Sequence, residues 1–191
     1  TAPGEIVVNG WSPSKRNNPY ANSGIVVSVQ PQDYKDYAQY GTLAGMYFQA
    51  QVEKDCFQKG NQNLQAPAQR MTDFVHNKSS STLPKNSYLP GTVSRNLHQI
   101  LPQFVSQALQ EAFKHFGQKM KGYLTNEAIL LATESRTSSP VRIPRNRETF
   151  EHPQVKGLYP CAEGAGYAGG IVSAAMDGEN CAQSLASSIK V

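Results

Sequence analysis

Between residues 158 and 175 the chain reads LYPCAEGAGYAGGIVSAA, in which Gly164, Gly166 and Gly169 stand in the spacing G-x-G-x-x-G. Successive backbone N–H groups in such a turn, at the start of a helix, attract an anion or a dipole. The missing side chains let a flat ligand or another backbone come close. In a dinucleotide-binding unit the glycines open a β-α-β motif, and an acidic residue about 20 positions on ends the second strand. Here only residues 170 to 191 follow Gly169, and they read as one helix with Asp177 and Glu179 inside it. The full unit cannot be completed. What survives is a local turn suited to an anion or a ring, with tight helix-on-sheet packing as the plainer alternative.

Other chemistry-bearing residues are fewer. Arg136-Thr137-Ser138-Ser139-Pro140 sets an Arg before three hydroxyl side chains between two apolar runs. That pattern fits either a phosphate- or carboxylate-binding turn or a solvated one. Arg142, Arg145 and Arg147 form a basic cluster without interleaved aromatics, which favours a solvated turn over nucleic-acid contact. His76, His98, His115 and His152 are scattered, with no H-E-x-x-H, so no metal site is expected. The three cysteines, Cys56, Cys161 and Cys181, are odd in number and widely spaced, and read as free thiols. With no second Cys close to it in sequence, Cys161 reads as a small buried residue rather than a redox thiol. No G-x-S-x-G or other nucleophile motif occurs.

The elements that must position these residues follow from periodicity. The 191 residues, 39% hydrophobic and with a formal net charge of +4, suffice for a globular domain with dispersed charge. No apolar run approaches the roughly 20 residues of a membrane span, and a cytoplasmic address is expected. The chain starts Thr1-Ala2-Pro3-Gly4-Glu5 and enters the run Ile6-Val7-Val8 at once, as if cut from a longer protein. Residues 5–8 and 24–29 are expected to be strands. Leu43, Met46, Tyr47, Ala50 and Phe57 predict a helix that ends in a left-handed cap at Gly60. A short helix is expected over 68–75 with Pro67 at its start, then a mobile loop over 76–91. The strongest helix is expected from Pro102 to Phe116, closed by Gly117. Strands are expected at 128–132, 139–143 and 155–161. A last helix over 170–189 would turn Ile171, Ala174, Ala175, Gly178, Cys181, Leu185 and Ile189 to one side. The fold class is α+β: strands from both chain ends (1–32 and 123–191) form a sheet-containing body, and 33–122 forms a mainly helical inserted lobe.

The run GLYPCAEGAGYAGGIVSAAMDG at 157–178 resembles the C-terminal flavin-closing segment of bacterial FAD-dependent dehydrogenases, the NAD(FAD)-utilizing dehydrogenases related to glutathione-reductase-like flavoproteins. VVNGWSPSKRNNPYANSG at 7–24, APAQRMTDF at 66–74 and ESRTSSPVRIPR at 134–145 are similar to the same family. The resemblance implies a C-terminal part of such an enzyme, with FAD as cofactor of the full-length protein and NADH or NADPH as candidate electron donor. It implies that the Rossmann unit lies in a missing N-terminal half, which becomes the partner of this chain, and that a small molecule is the substrate. It assigns cofactor contact to Glu163 and to the backbone of Gly164, Gly166, Tyr167, Ala168, Gly169, Gly170 and Ile171. Flavin- or substrate-facing roles fall to Arg136, Thr137, Ser138, Lys15 and Asn22. Ala162 departs from the Gly expected before the acid. No nucleic acid or membrane partner is implied, and the chain alone is expected to be inactive and free of FAD. The alternative from another class is a non-catalytic interaction or substrate-recognition module.

Overall fold

The computed structural model describes residues 2–10 and 13–189. It is α+β. By its contacts the chain divides into two compact units, Thr1–Asp33 with Phe48–Ser135, and Tyr34–Tyr47 with Arg136–Val191. This division cuts across the expected one at 33–122.

The first unit is built on a three-stranded sheet of order β2-β1-β3, with β1 at Ala66–Arg70, β2 at Thr92–Ser94 and β3 at Ile129–Leu131. β2 runs parallel to β1, Ala66 beside Thr92, and β3 runs antiparallel, Ala68 beside Leu131. β1 and β2 lie within the span expected to be a helical lobe, and no described residue of 1–32 forms a strand. The correction has a physical cause in the stretch APAQR. Pro67 suits a helix start, but its carbonyl accepts from Ala132 N–H at 3.0 Å, and the strand is buried at its first four positions. Pairing on both sides therefore overrides the local preference, and helix α2 begins only at Met71 (Met71–Val75).

Ile6 and Val8 are buried, yet the strand expected over 5–8 does not form, since they join no ladder. Ile6 N–H donates to Glu53 O at 3.3 Å and Val8 N–H to Thr133 O at 2.9 Å. Residues 24–29 are also irregular, with Val26 and Val29 exposed.

A 3-10 stretch over Pro31–Leu43, kinked at Tyr34 and Gly41, leads into α1 (Ala44–Lys59). The buried face of α1 is Glu53, Cys56 and the adjoining Gly60, whereas Leu43, Met46 and Tyr47 are exposed. The left-handed residues after the helix are Asn61 and Gln62. Gly60 is needed instead for close approach, since a Cβ there would strike Gln65 O.

The long helix α3 spans Gln103–Lys119 and runs through Gly117, which makes room for Leu124 rather than ending the helix. Its Phe113 meets Phe74 of α2 edge-on at 5.9 Å, and Phe74 stacks on His98 at 4.3 Å. Together with Ile6, Cys56, Leu97 and Ala132 these form one core. The loop 76–91, expected to be mobile, is tied by polar groups: Ser80 Oγ accepts from Arg70 N–H at 2.9 Å and donates to Asp73 at 2.7 Å, and Ser94 Oγ donates to Ser80 O. Low apolar content removes one means of ordering a loop but leaves hydrogen bonds as another.

The second unit carries α4 (Ile171–Ser188) and a long irregular segment. Residues 139–143 and 155–161 are not strands, because the groups beside them are the turn at 162–167 and side chains of α4 rather than another strand.

Candidate functional site

The turn that holds the G-x-G-x-x-G spacing is shaped by two left-handed residues, Ala162 (φ 58°) and Gly166 (φ 81°). Gly166 N–H donates to Glu163 O at 2.9 Å and Tyr167 N–H to Ala162 O at 3.0 Å. Residues 141–145 pass against it: Ile143 N–H donates to Ala165 O, Arg142 Nε to Gly166 O at 2.9 Å, and Tyr167 Oη to Ile143 O at 2.8 Å. A Cβ on Gly166 would sit 2.6 Å from Val141 O. Gly166→Ala is therefore expected to cost about 2 kcal/mol or more, from left-handed strain plus displacement of Val141. Urea unfolding of the variant checks this.

The turn is fastened to α4 through one ion pair. Arg145 grips Asp177 with two hydrogen bonds, 2.6 and 2.9 Å, and its Nη1 also donates to Pro160 O at 2.8 Å. Asp177 Oδ2 accepts from Ala162 N–H at 2.8 Å as well. The Arg145 guanidinium lies 3.6 Å from the centre of the Tyr167 ring and 4.6 Å from that of Phe150, a cation–π stack on both. The hydrogen bonds with Arg145 hold the Asp177 carboxyl below its ordinary range, and those with Asp177 push the guanidinium up. Arg145 is thus a structural clamp rather than a solvated turn residue. With Arg142, Arg147, Phe150 and Asn180 it borders a cleft of about 440 Å³.

Above this clamp the turn offers backbone. The N–H groups of Gly164, Ala168 and Gly169 have no partner among the described residues. A Cβ on Gly164 would meet nothing within 4 Å. Gly170 caps α4 through Ser173, whose Oγ accepts from Gly170 N–H at 3.1 Å, and the N–H groups of the first helical turn begin beyond it. Glu163 is exposed. So is the first turn of α4: Ile171 is 93% exposed, Val172 71% and Met176 58%. Of the residues expected to share one side of α4, only Cys181 is buried. Tyr167 donates its phenol to Ile143 O and its N–H to Ala162 O.

Thr137 belongs to the same surface: its carbonyl oxygen would lie 3.2 Å from a Cβ on Gly169, which puts the 136–138 segment beside the glycine turn. Lys15 and Asn22 belong to the first unit, and Trp11 and Ser12 of the same loop lie outside the described residues. Asn22 lines a cavity of about 840 Å³ floored by Met71, Phe74, Phe113 and Tyr123, whereas Lys15 does not line it. Among the described residues no three His, Cys, Asp or Glu side chains gather into a metal set, and no helix is long and apolar enough to cross a membrane.

Sequence reasoning missed two features. The cavity has no local signature, because its walls come from residues far apart along the chain. The other is the cysteine arrangement: Cys161 is exposed, not buried, and its neighbours Pro160 and Ala162 are held against Cys181 and Asp177 of α4.

The family model described as FAD-dependent protein, C-terminal domain-like matches residues 1–137. The chain belongs to this family. The matched residues take in the loop 7–24, β1 with α2, and Arg136-Thr137. A relative from Clostridium beijerinckii, for which no activity is given, is 43% identical over 184 residues. That similarity covers 95% of this chain and so runs on through the glycine turn, but it covers 34% of the relative. The chain therefore spans about a third of the length of this relative.

Proposed function

We propose that the chain is the C-terminal part of a FAD-dependent dehydrogenase of the NAD(FAD)-utilizing type, in which residues 162–171 close the flavin site and the chain also contributes a substrate-side lobe. The observation that carries this is the pairing of unpartnered N–H groups at Gly164, Ala168 and Gly169 with an uncovered apolar first turn on α4. Backbone donors beside exposed Ile171 and Val172 suit a ligand that is polar at one edge and flat and apolar elsewhere, which is the character of a flavin ring. These residues fit FAD as one wall of its site. When bound, the cofactor supplies the hydride-accepting ring, and the protein supplies position and exclusion of water.

In this proposal Gly164, Gly166, Tyr167, Ala168, Gly169, Gly170 and Ile171 line the cofactor through their backbone. Glu163 directs its carboxylate to the ribityl chain or the pyrophosphate end. Arg136, Thr137 and Ser138 stand beside the turn, and Asn22 faces the substrate cavity. NADH or NADPH is the electron donor, a small molecule the acceptor, and the N-terminal half of the longer protein the partner that covers α4. The compartment is the cytoplasm.

Two measurements test it. Calorimetric titration of the 191-residue chain with FAD should give binding weaker than the low micromolar range, because one wall of a site still bears the association and ordering costs of the whole. In the full-length protein, Glu163→Ala should weaken FAD retention by about 1.5–3 kcal/mol, roughly ten- to hundredfold. Unchanged affinity removes Glu163 from the site. A colourless full-length protein that releases no flavin on denaturation rejects the proposal and favours a non-catalytic interaction module.

A further inference from the structure

Cys161 and Cys181 are twenty residues apart in sequence but neighbours in the fold, because the residues on both sides of Cys161 are pinned to one face of α4. Ala162 N–H donates to Asp177 Oδ2 at 2.8 Å, and the Cys181 thiol reaches Pro160 O at 4.0 Å. Asp177 and Cys181 are four residues apart and so lie one above the other on the helix. Cys161 sits between the two pinned residues, which brings it beside Cys181 on the same face of the helix. The pair also divides its tasks by exposure: Cys161 is exposed and Cys181 is 4% exposed. Burial pushes the Cys181 thiol up, and Arg145 Nη1, 3.3 Å from Cys181 Sγ, opposes that shift as a neighbouring cation.

We propose that Cys161 and Cys181 form a reversible disulfide that fastens the glycine turn covalently to α4, with Cys161 as the attacking thiol and Cys181 as the resolving one. The oxidant is a low-molecular-weight disulfide such as glutathione disulfide. The Cys161 thiolate attacks one of its sulfurs, the S–S bond breaks, and the departing glutathione thiolate takes up the proton that Cys161 gave up. Cys181 then attacks the Cys161 sulfur of the mixed disulfide, and the second glutathione thiolate leaves with the Cys181 proton. In sum, two protein thiols are oxidised to one disulfide, and one glutathione disulfide is reduced to two thiols. Proton and electron counts balance. The step does not depend on flavin.

Cys56 serves as an internal control, since it is fully buried and burial pushes its thiol up to about 12. The test treats the 191-residue chain with glutathione disulfide and maps thiols and linked peptides by mass spectrometry. The expected result is loss of two of the three free thiols, a mass decrease of two hydrogens, a peptide joining Cys161 to Cys181, and reversal by dithiothreitol. Cys181→Ser should trap a stable glutathione adduct on Cys161, and Cys161→Ser should stay unmodified. Hydrogen exchange over residues 162–167 should slow at least tenfold in the oxidised chain. A wild-type chain that keeps glutathione on Cys161, crosslinks through Cys56, or links two chains overturns the proposal. Because that readout uses the unmutated protein, the decision stands even where a variant does not fold.

Discussion

Gln69→Leu should lower the stability of the first unit by about 2–4 kcal/mol, although it replaces a polar side chain in a core by an apolar one of similar size. Gln69 is fully buried on the central strand β1. Its Oε1 accepts from Leu97 N–H at 2.8 Å, a buried contact, and its Nε2 donates to Lys78 O at 2.7 Å. The side chain thus joins the strand to both the 76–91 loop and the turn before α3. Leucine fills the volume but strands a buried N–H and a partly buried carbonyl, and an unsatisfied buried group costs about 1–3 kcal/mol. For a chain of this size that corresponds to a melting point lower by roughly 6–12 °C. A thermal scan of the variant decides it. No loss, with the protein still folded, would mean that Leu97 N–H finds another acceptor.

The second large effect is expected at Asp177. Its side chain and that of Arg145 are 14% and 9% exposed, so the pair is nearly enclosed. Asp177→Ala leaves Ala162 N–H without its acceptor and the guanidinium without its carboxylate, with Pro160 O still in place, and breaking such a pair from one side costs about 3–5 kcal/mol. Arg145→Met with Asp177→Ala should be less damaging than Asp177→Ala alone, because the unpaired charge is then gone. The pH dependence has a definite sign. The folded-state pKa of Asp177 is depressed, so its contribution is complete above the ordinary value of 3.8 and is lost as pH falls through the lower folded value. The stability difference between the wild type and Asp177→Ala should therefore be constant near neutral pH and shrink below about pH 4. A constant gap down to pH 2 would show that the carboxylate is not the group that matters.

Several elements were legible because local physics decides them. The apolar stripe through Phe104, Val105, Leu109, Phe113 and Phe116 gives α3 in any setting that offers one apolar face. The run 128–132 gives β3, and small residues after Gly170 give α4. The glycine turn was legible as a turn with exposed backbone for the same reason. APAQR was not legible as a central strand, since Ala, Pro, Gln and Arg have weak strand preference and the ladder partners lie about 26 and about 60 residues downstream. Residues 5–8 were expected to be a strand, but although Ile6 and Val8 are buried, burial alone does not create a ladder without a neighbouring strand in register.

By itself the sequence determined the α+β class, the helices of strong periodicity, the exposed turn at Glu163–Gly170 and the resemblance to FAD-dependent proteins. These depend on residue types within a few positions of one another, where backbone preference and side-chain period are the only terms. Tertiary structure decided the sheet order, the polar ties of the 76–91 loop, the Arg145–Asp177 clamp beneath the turn and the meeting of Cys161 with Cys181. Each joins groups from about 7 to 65 residues apart, and no local term reports such closures. They arise only when folding brings a buried donor to the one acceptor that can satisfy it.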